Sequence, residues 1–197
     1  MQQLKETEII TEFHPFEPFI DSKTKLLVMG TFPPPRNRWS MDFYYPNRIN
    51  DFWYMMGLIF LGDKYALVDV NKKTFRINEI KALLKEKHIG LNDTGYEIRR
   101  LKGNASDKYL EIVKPIPLHS LLNTFPAIRT LCTTGEKAAG VIAELTKTPV
   151  PRMGECVETE SGLKIWRMPS TSRAYPLALE KKAAYYATMF QKSGIEL

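Results

Sequence analysis

The sequence predicts an α/β fold, a three-layer sandwich in which helices cover both faces of a central, mainly parallel sheet. Two observations point there. Short apolar runs that end at glycine or proline alternate along the chain with segments whose apolar residues recur at helical spacing. That alternation is the signature of strands joined through helices. In such sheets ligands bind beyond the carboxyl ends of the strands, and two loops there carry unusual residues: Gly30–Pro35, and Met168–Arg173 with its Ser-Thr-Ser run.

Taken in order, residues 1–24 read as an irregular arm whose aromatics pack across the body. Lys25–Gly30 is an apolar run that stops at Gly30 and the triplet Pro33–Pro35, a buried strand ending abruptly at a loop. Asn50–Leu61 reads as a helix with Phe52, Trp53, Met56, Ile59 and Phe60 on a broad apolar face. Ile77–Lys87 is a second helix, with Ile80, Leu83 and Leu84 inward and lysines outward. Ile89–Thr94 is a brief strand or turn before a basic loop, Arg99–Lys102. Leu118–Thr124 is a short helix, Ile128–Thr133 a strand closing on Gly135, and Glu136–Leu145 a helix. Cys156–Trp166 forms two strands around a Ser-Gly turn, the second running on to Met168-Pro169, and Leu177–Gln191 closes the chain as a long helix.

The 197 residues are expected to form one domain over 1–197, with 1–24 as its arm, large enough to bury a core without staples. Lys and Arg number 28 against 22 Asp and Glu, a net charge of +6 that raises nucleic acid as a partner without establishing it. Two cysteines, Cys132 and Cys156, supply neither a disulfide framework nor a four-thiolate cluster, and read as free thiols of a reducing compartment. The start lacks a signal-peptide core, and no apolar run reaches membrane-span length. The expectation is a cytoplasmic monomer with no membrane contact. A Walker-type phosphate loop, paired-cysteine or His-x-Glu metal spacing and the Gly-x-Ser-x-Gly elbow are absent from the sequence.

The first loop continues through Tyr44-Tyr45-Pro46-Asn47-Arg48-Ile49-Asn50-Asp51-Phe52-Trp53. A strand ending in Gly-x-x-Pro, an aromatic pair, and Asn-x-Phe-Trp opening a helix together resemble the first motif of the uracil-DNA glycosylase superfamily. Within it the likeness is nearest to the mismatch-specific and hypoxanthine-type branches. Pro169-Ser170-Thr171-Ser172 resembles the second motif, and Gly90–Asp93 and Gly135–Ala138 are similar to segments of hypoxanthine-type members. The resemblance runs from about Leu26 to Phe190.

It implies a uracil-DNA glycosylase-like fold and a monofunctional enzyme that flips a deaminated base, uracil or hypoxanthine, out of DNA and hydrolyses its N-glycosidic bond, with no metal or other cofactor. The partner implied is DNA containing a damaged base. Asn50 and Asp93 are the catalytic candidates. Asn50 matches the asparagine hypoxanthine-type members use, and an amide orients water without acting as a base. It is equally suited to cap the helix that follows. Asp93 would orient water or the base edge, or be an ordinary turn aspartate. Gly30, Thr31, Phe32, Tyr45, Ser170, Thr171 and Ser172 are the substrate-binding candidates. Tyr45 would stack the base or belong to the core, and Ser170 and Ser172 would grip phosphates or make a capping turn. Arg36, Arg38, Arg99, Arg100, Lys102 and Arg173 are candidate phosphate contacts, each alternatively a solvated surface charge.

The chain departs from the family's pattern in both motifs, and at the wedge position after Pro169-Ser170 small Ser172 or charged Arg173 replaces a large aliphatic residue. Thr31 and Phe32 stand where other branches carry the acid or amide that positions water, and Met168 stands where they carry His or Asn. The three histidines, His14, His88 and His119, lie outside the motifs and read as surface or structural residues. These departures motivate a rival reading, a member of the fold that binds nucleic acid without chemistry. A pocket for a free nucleobase or nucleotide is a third.

Overall fold

A computed structural model of the chain describes residues 10–102 and 107–197. Its central sheet has five strands: β2 (Leu26–Gly30), β5 (Ile89–Asp93), β8 (Thr130–Thr133), β9 (Cys156–Glu158) and β10 (Lys164–Arg167), in the order β5-β2-β8-β10-β9. The first four positions in that order run parallel, and only the edge strand β9 is antiparallel. Every residue of β2 is buried, because strands lie on both its sides and helices on both its faces. Its side chains alternate between two cores, Leu26 and Val28 toward one, Leu27 and Met29 toward the other. Burying each of these side chains contributes about 1.5–3 kcal/mol.

The first core lies under α1 (Phe52–Leu61), α2 (Ile77–Glu86) and α5 (Leu179–Lys192), through Phe52, Trp53, Met56, Ile80, Leu84, Tyr186 and Phe190. The second lies under α3 (Leu118–Thr124) and α4 (Glu136–Thr146), through Leu118, Leu121 and Ile142. The three-layer sandwich is therefore present, with the expected helices in place. α1 is apolar nearly all round because it packs against both the sheet and α5, and it ends at Gly62, whose φ of 70° is the left-handed closing conformation that glycine adopts freely. Cys132 is buried in β8, Cys156 is half-buried, and both thiols are free. Among the described residues no helix is long and apolar enough to cross a membrane.

A second sheet was not expected. The arm contributes β1 (Thr11–Phe13), which pairs antiparallel with β6 (Gly95–Arg100), and β6 pairs in turn with β7 (Leu110–Pro115). Arg99 and Arg100, read as a loop, are therefore strand residues, and Lys102 lies in the turn beyond them. A hairpin of β3 (Val68–Asp69) and β4 (Thr74–Phe75) also escaped notice. The reason is common to all of these strands. They are short or face solvent on one side, so their apolar residues are interleaved with charge and give no continuous run.

Candidate active site

A cleft of about 670 Å³ opens beyond the carboxyl ends of β2 and β5. Its walls are the first loop from Gly30 to Pro34, the segment Tyr45–Asn50 and the second loop from Ser170 to Pro176, with Asp93, Thr134, Asp107 and Lys108 completing it. Gly30, Thr31, Phe32, Tyr45, Asn50, Asp93, Ser170, Thr171 and Ser172 thus meet in one concavity, together with Arg38 and Arg173.

The two motif loops are stitched together by backbone. Asn50 forms an isolated antiparallel bridge with Ser172, and the Asp51 N–H donates to the Thr171 carbonyl at 2.8 Å. Below that seam, Asp51 takes a hydrogen bond from the fully buried Lys182 on α5 at 2.8 Å and another from Arg173 at 2.9 Å. Lys182 Nζ also donates to the Ser172 carbonyl at 2.8 Å, and Tyr186 Oη to the Pro169 carbonyl at 3.0 Å. The second loop is therefore clamped onto the start of α1 by charge. Burial opposes the Arg173 charge, but the hydrogen bond and the charge of Asp51 outweigh it and hold the guanidinium above its ordinary pKa. Met168, at the head of the second motif, is buried in the first core.

Asn50 stands both at the helix start and at the cleft. Its Oδ1 accepts the Phe52 N–H at 2.9 Å, fixing the helix start, while the residue lines the cleft. What it offers a ligand is accordingly its Nδ2 donor pair. Tyr45 sits at φ 51°, a left-handed conformation that costs a non-glycine residue about 1–3 kcal/mol. Its ring stacks on Phe52 at 3.8 Å between centroids, and its hydroxyl lies 3.1 Å from Thr134 Oγ1. Burial, with the charge of Asp93, pushes this phenol well above its usual pKa.

Asp93 ends β5 directly opposite Gly30 on β2. A Cβ at Gly30 would fall 2.5 Å from Asp93 Oδ1 and 3.2 Å from Tyr45 Oη, so the absent side chain makes room for the carboxylate. The other oxygen, Oδ2, accepts a hydrogen bond from His14 Nε2 at 2.9 Å. His14, read from sequence as a surface or structural histidine, belongs to the arm, and its side chain is only 4% exposed. Burial works to lower its pKa. The hydrogen bond and charge of Asp93, the Phe16 carbonyl and the charge of Glu17 prevail, leaving it above the ordinary value.

Asp107 was also missed. Thr31 Oγ1 donates to its Oδ2 at 3.0 Å, and it borders the cleft. Burial raises its pKa, opposed by the Thr31 hydrogen bond and Lys137 but reinforced by Asp93. Neither residue could be found by motif, since His14 stands 79 positions from its partner and Asp107 stands 76 from Thr31.

Of the candidate phosphate contacts, Arg38 and Arg173 reach the cleft. Arg36 pairs with Asp42 at 3.2 Å and lies over Trp39. Arg99 lies on the second sheet, 3.8 Å from Glu111, and Lys102 rests over the Tyr109 ring. Arg100 departs from expectation: its side chain is buried, with Nε donating to Glu12 at 2.8 Å and Nη2 to the Pro33 carbonyl at 2.6 Å. It supports the first loop from behind. Lys108 is a cleft cation that the sequence reading did not single out.

The chain is an α/β sandwich with its cleft between these two loops. No family model matches the sequence, and no curated protein does. Among solved structures, the solution NMR structure of a proposed uracil DNA glycosylase from Methanosarcina acetivorans is similar over 94% of this chain and 99% of that one. The TM-score is 0.63 at 20% sequence identity, a likeness of fold.

Proposed function

We propose that the protein is a monofunctional DNA N-glycosylase that excises a deaminated base, uracil or hypoxanthine. The observation that carries this reading is the meeting of Asp93, Asn50, Tyr45 and the Ser170–Ser172 loop around one cleft at the strand ends. A base inside a duplex is shielded by stacking, so the nucleotide must be flipped to reach such a cleft. Ser170 and Ser172, with backbone N–H groups of their loop, hold the flanking phosphates, and Arg38 and Lys108 add positive charge. Tyr45 presents an aromatic surface to the base.

In the chemical step water attacks the sugar carbon. The carbon–oxygen bond forms and the glycosidic carbon–nitrogen bond breaks. The bonding pair leaves with the base, and Asp93 accepts the proton released by water. Asn50 donates through Nδ2 to the water or the departing base, and such fixed donors act best where charge develops. Asp93 takes over the task that other branches give to the loop residues replaced here by Thr31 and Phe32.

The test is release of free base from duplex and single-stranded oligonucleotides carrying uracil, hypoxanthine or xanthine. Wild type releases one or more of these bases; Asp93→Asn loses about 10²–10⁴-fold, as removal of a positioned acid–base group does, and Asn50→Ala loses about 10²–10³-fold, as removal of a fixed donor to developing charge does. No release from any substrate rejects the reading. Phe32 and Met168 favour a second reading, a DNA-binding protein without catalysis, which predicts salt-sensitive binding of the same oligonucleotides and no product.

A further inference from the structure

The carboxylate that faces the cleft does not stand alone. His14 and Asp93 are joined at 2.9 Å with side chains only 4% and 7% exposed, and the imidazole is fixed on several sides. Tyr44 stacks on it at 5.8 Å, and Phe32 meets it edge-on at 5.2 Å. Its far nitrogen, Nδ1, lies 2.9 Å from the Phe16 carbonyl and 3.2 Å from the Phe16 N–H. The ring is therefore satisfied in either protonation state, accepting from the N–H when neutral and donating to the carbonyl when charged. In both states Nε2–H stays on Asp93.

We infer that His14, brought in by the N-terminal arm, is a positioning residue for Asp93: it binds Oδ2 and leaves Oδ1, over Gly30, as the oxygen that faces the cleft. This rests on the glycosylase reading and deepens it. The arm becomes part of the active site, and Phe32 acquires a purpose as the wall of the His14 pocket. The physical reason is the cost of a buried carboxylate. Without a partner, a carboxyl group this enclosed favours its neutral form, which cannot accept a proton from water. A donor on Oδ2 offsets part of that cost, and it fixes the orientation of the carboxylate before the substrate arrives. The other titratable groups around the pair are Glu17 on the arm, Tyr44 and Tyr45 before α1, and Asp107 at the cleft, with Arg100 lying over the Phe32 ring. Of these, His14 alone donates to Oδ2 among the described residues.

The experiment compares wild type, His14→Gln and His14→Phe in single-turnover base release across pH, with thermal melting as the control for folding. His14→Phe moves the acid limb of the rate profile upward by about one pH unit or more, because Asp93 is then harder to ionise. Its plateau falls at least about tenfold. His14→Gln, which keeps a donor without the charge, gives an intermediate limb and decides the matter if the phenylalanine variant does not fold. A folded variant that is slower at every pH with its acid limb unmoved would overturn the inference and leave His14 a structural residue. Carboxyl ¹³C titration of Asp93 in wild type and His14→Gln supplies a second readout that needs no turnover. An upward shift in the variant supports the pairing, and coincident titrations refute it. Wild type that releases no base removes the glycosylase reading, and the carboxyl titration still decides whether His14 governs Asp93.

Discussion

Gly30→Ala is the smallest change that tests the site. The added Cβ would lie 2.5 Å from Asp93 Oδ1, whereas an ordinary contact of this kind is about 3.5 Å. The carboxylate must therefore retreat by about 1 Å, and a misplacement of that size in a reacting group costs about 10²-fold in rate. Tyr45 Oη, 3.2 Å from the same Cβ, blocks part of the space into which the carboxylate would move aside. The backbone presents no obstacle, since alanine in a strand interior is favoured over glycine by about 0.5–1 kcal/mol. Activity and stability should then separate. Single-turnover release of the preferred base drops by about two orders of magnitude while the melting temperature stays near that of wild type. A folded Gly30→Ala protein within about threefold of the wild-type rate would falsify the placement of Asp93 Oδ1 at the reacting centre.

Four further predictions rest on the same geometry. Lys182→Met removes a charged hydrogen bond to Asp51 and a second one to the Ser172 carbonyl, which keeps the Tyr175 N–H. A loss of about 3–5 kcal/mol is expected, or about 6–20 °C in melting temperature. Adding Asp51→Asn should recover part of it, and strict additivity in that cycle would refute the clamp. His14 holds its proton more tightly folded than unfolded, so its share of stability is complete below about pH 6.5 and is lost as pH rises through the folded value. Urea midpoints should therefore fall over that window in wild type and stay flatter in His14→Gln. Finally, Arg38→Gln and Lys108→Gln should each weaken oligonucleotide binding and reduce the slope of log affinity against log salt by about 0.9. Borohydride should trap no covalent adduct even though Lys108 borders the cleft, since a monofunctional enzyme uses water rather than an amine.

Legibility in the sequence tracked how local each feature is. β2 was readable because it is buried on both faces and carries an unbroken apolar run that stops at glycine, whereas β5, with Asn92 and Asp93 at its end, read only as a brief strand or turn. The motif loops were readable because each lies within a few residues of a strand end or helix start. The second sheet was not, because β6 and β7 bury one side only and β1 has three residues. Arg99, Arg100 and Lys102 accordingly looked like a basic loop.

The sequence by itself determined the α/β class and the two loops at the strand ends, since these follow from periodicity, turn chemistry and short-range spacing, while Tyr45, Asn50 and Asp93 were implied by the resemblance of the motifs. Tertiary structure alone decided what those residues touch. It set His14 on Asp93, Asp107 on Thr31 and Lys182 on Asp51, and it turned Arg100 inward to the Pro33 carbonyl. Such pairs join positions 67 to 131 residues apart. Nothing in the local pattern of either partner encodes the other, because it is the packing of the whole sandwich that carries them together, and only then does burial make each need its partner.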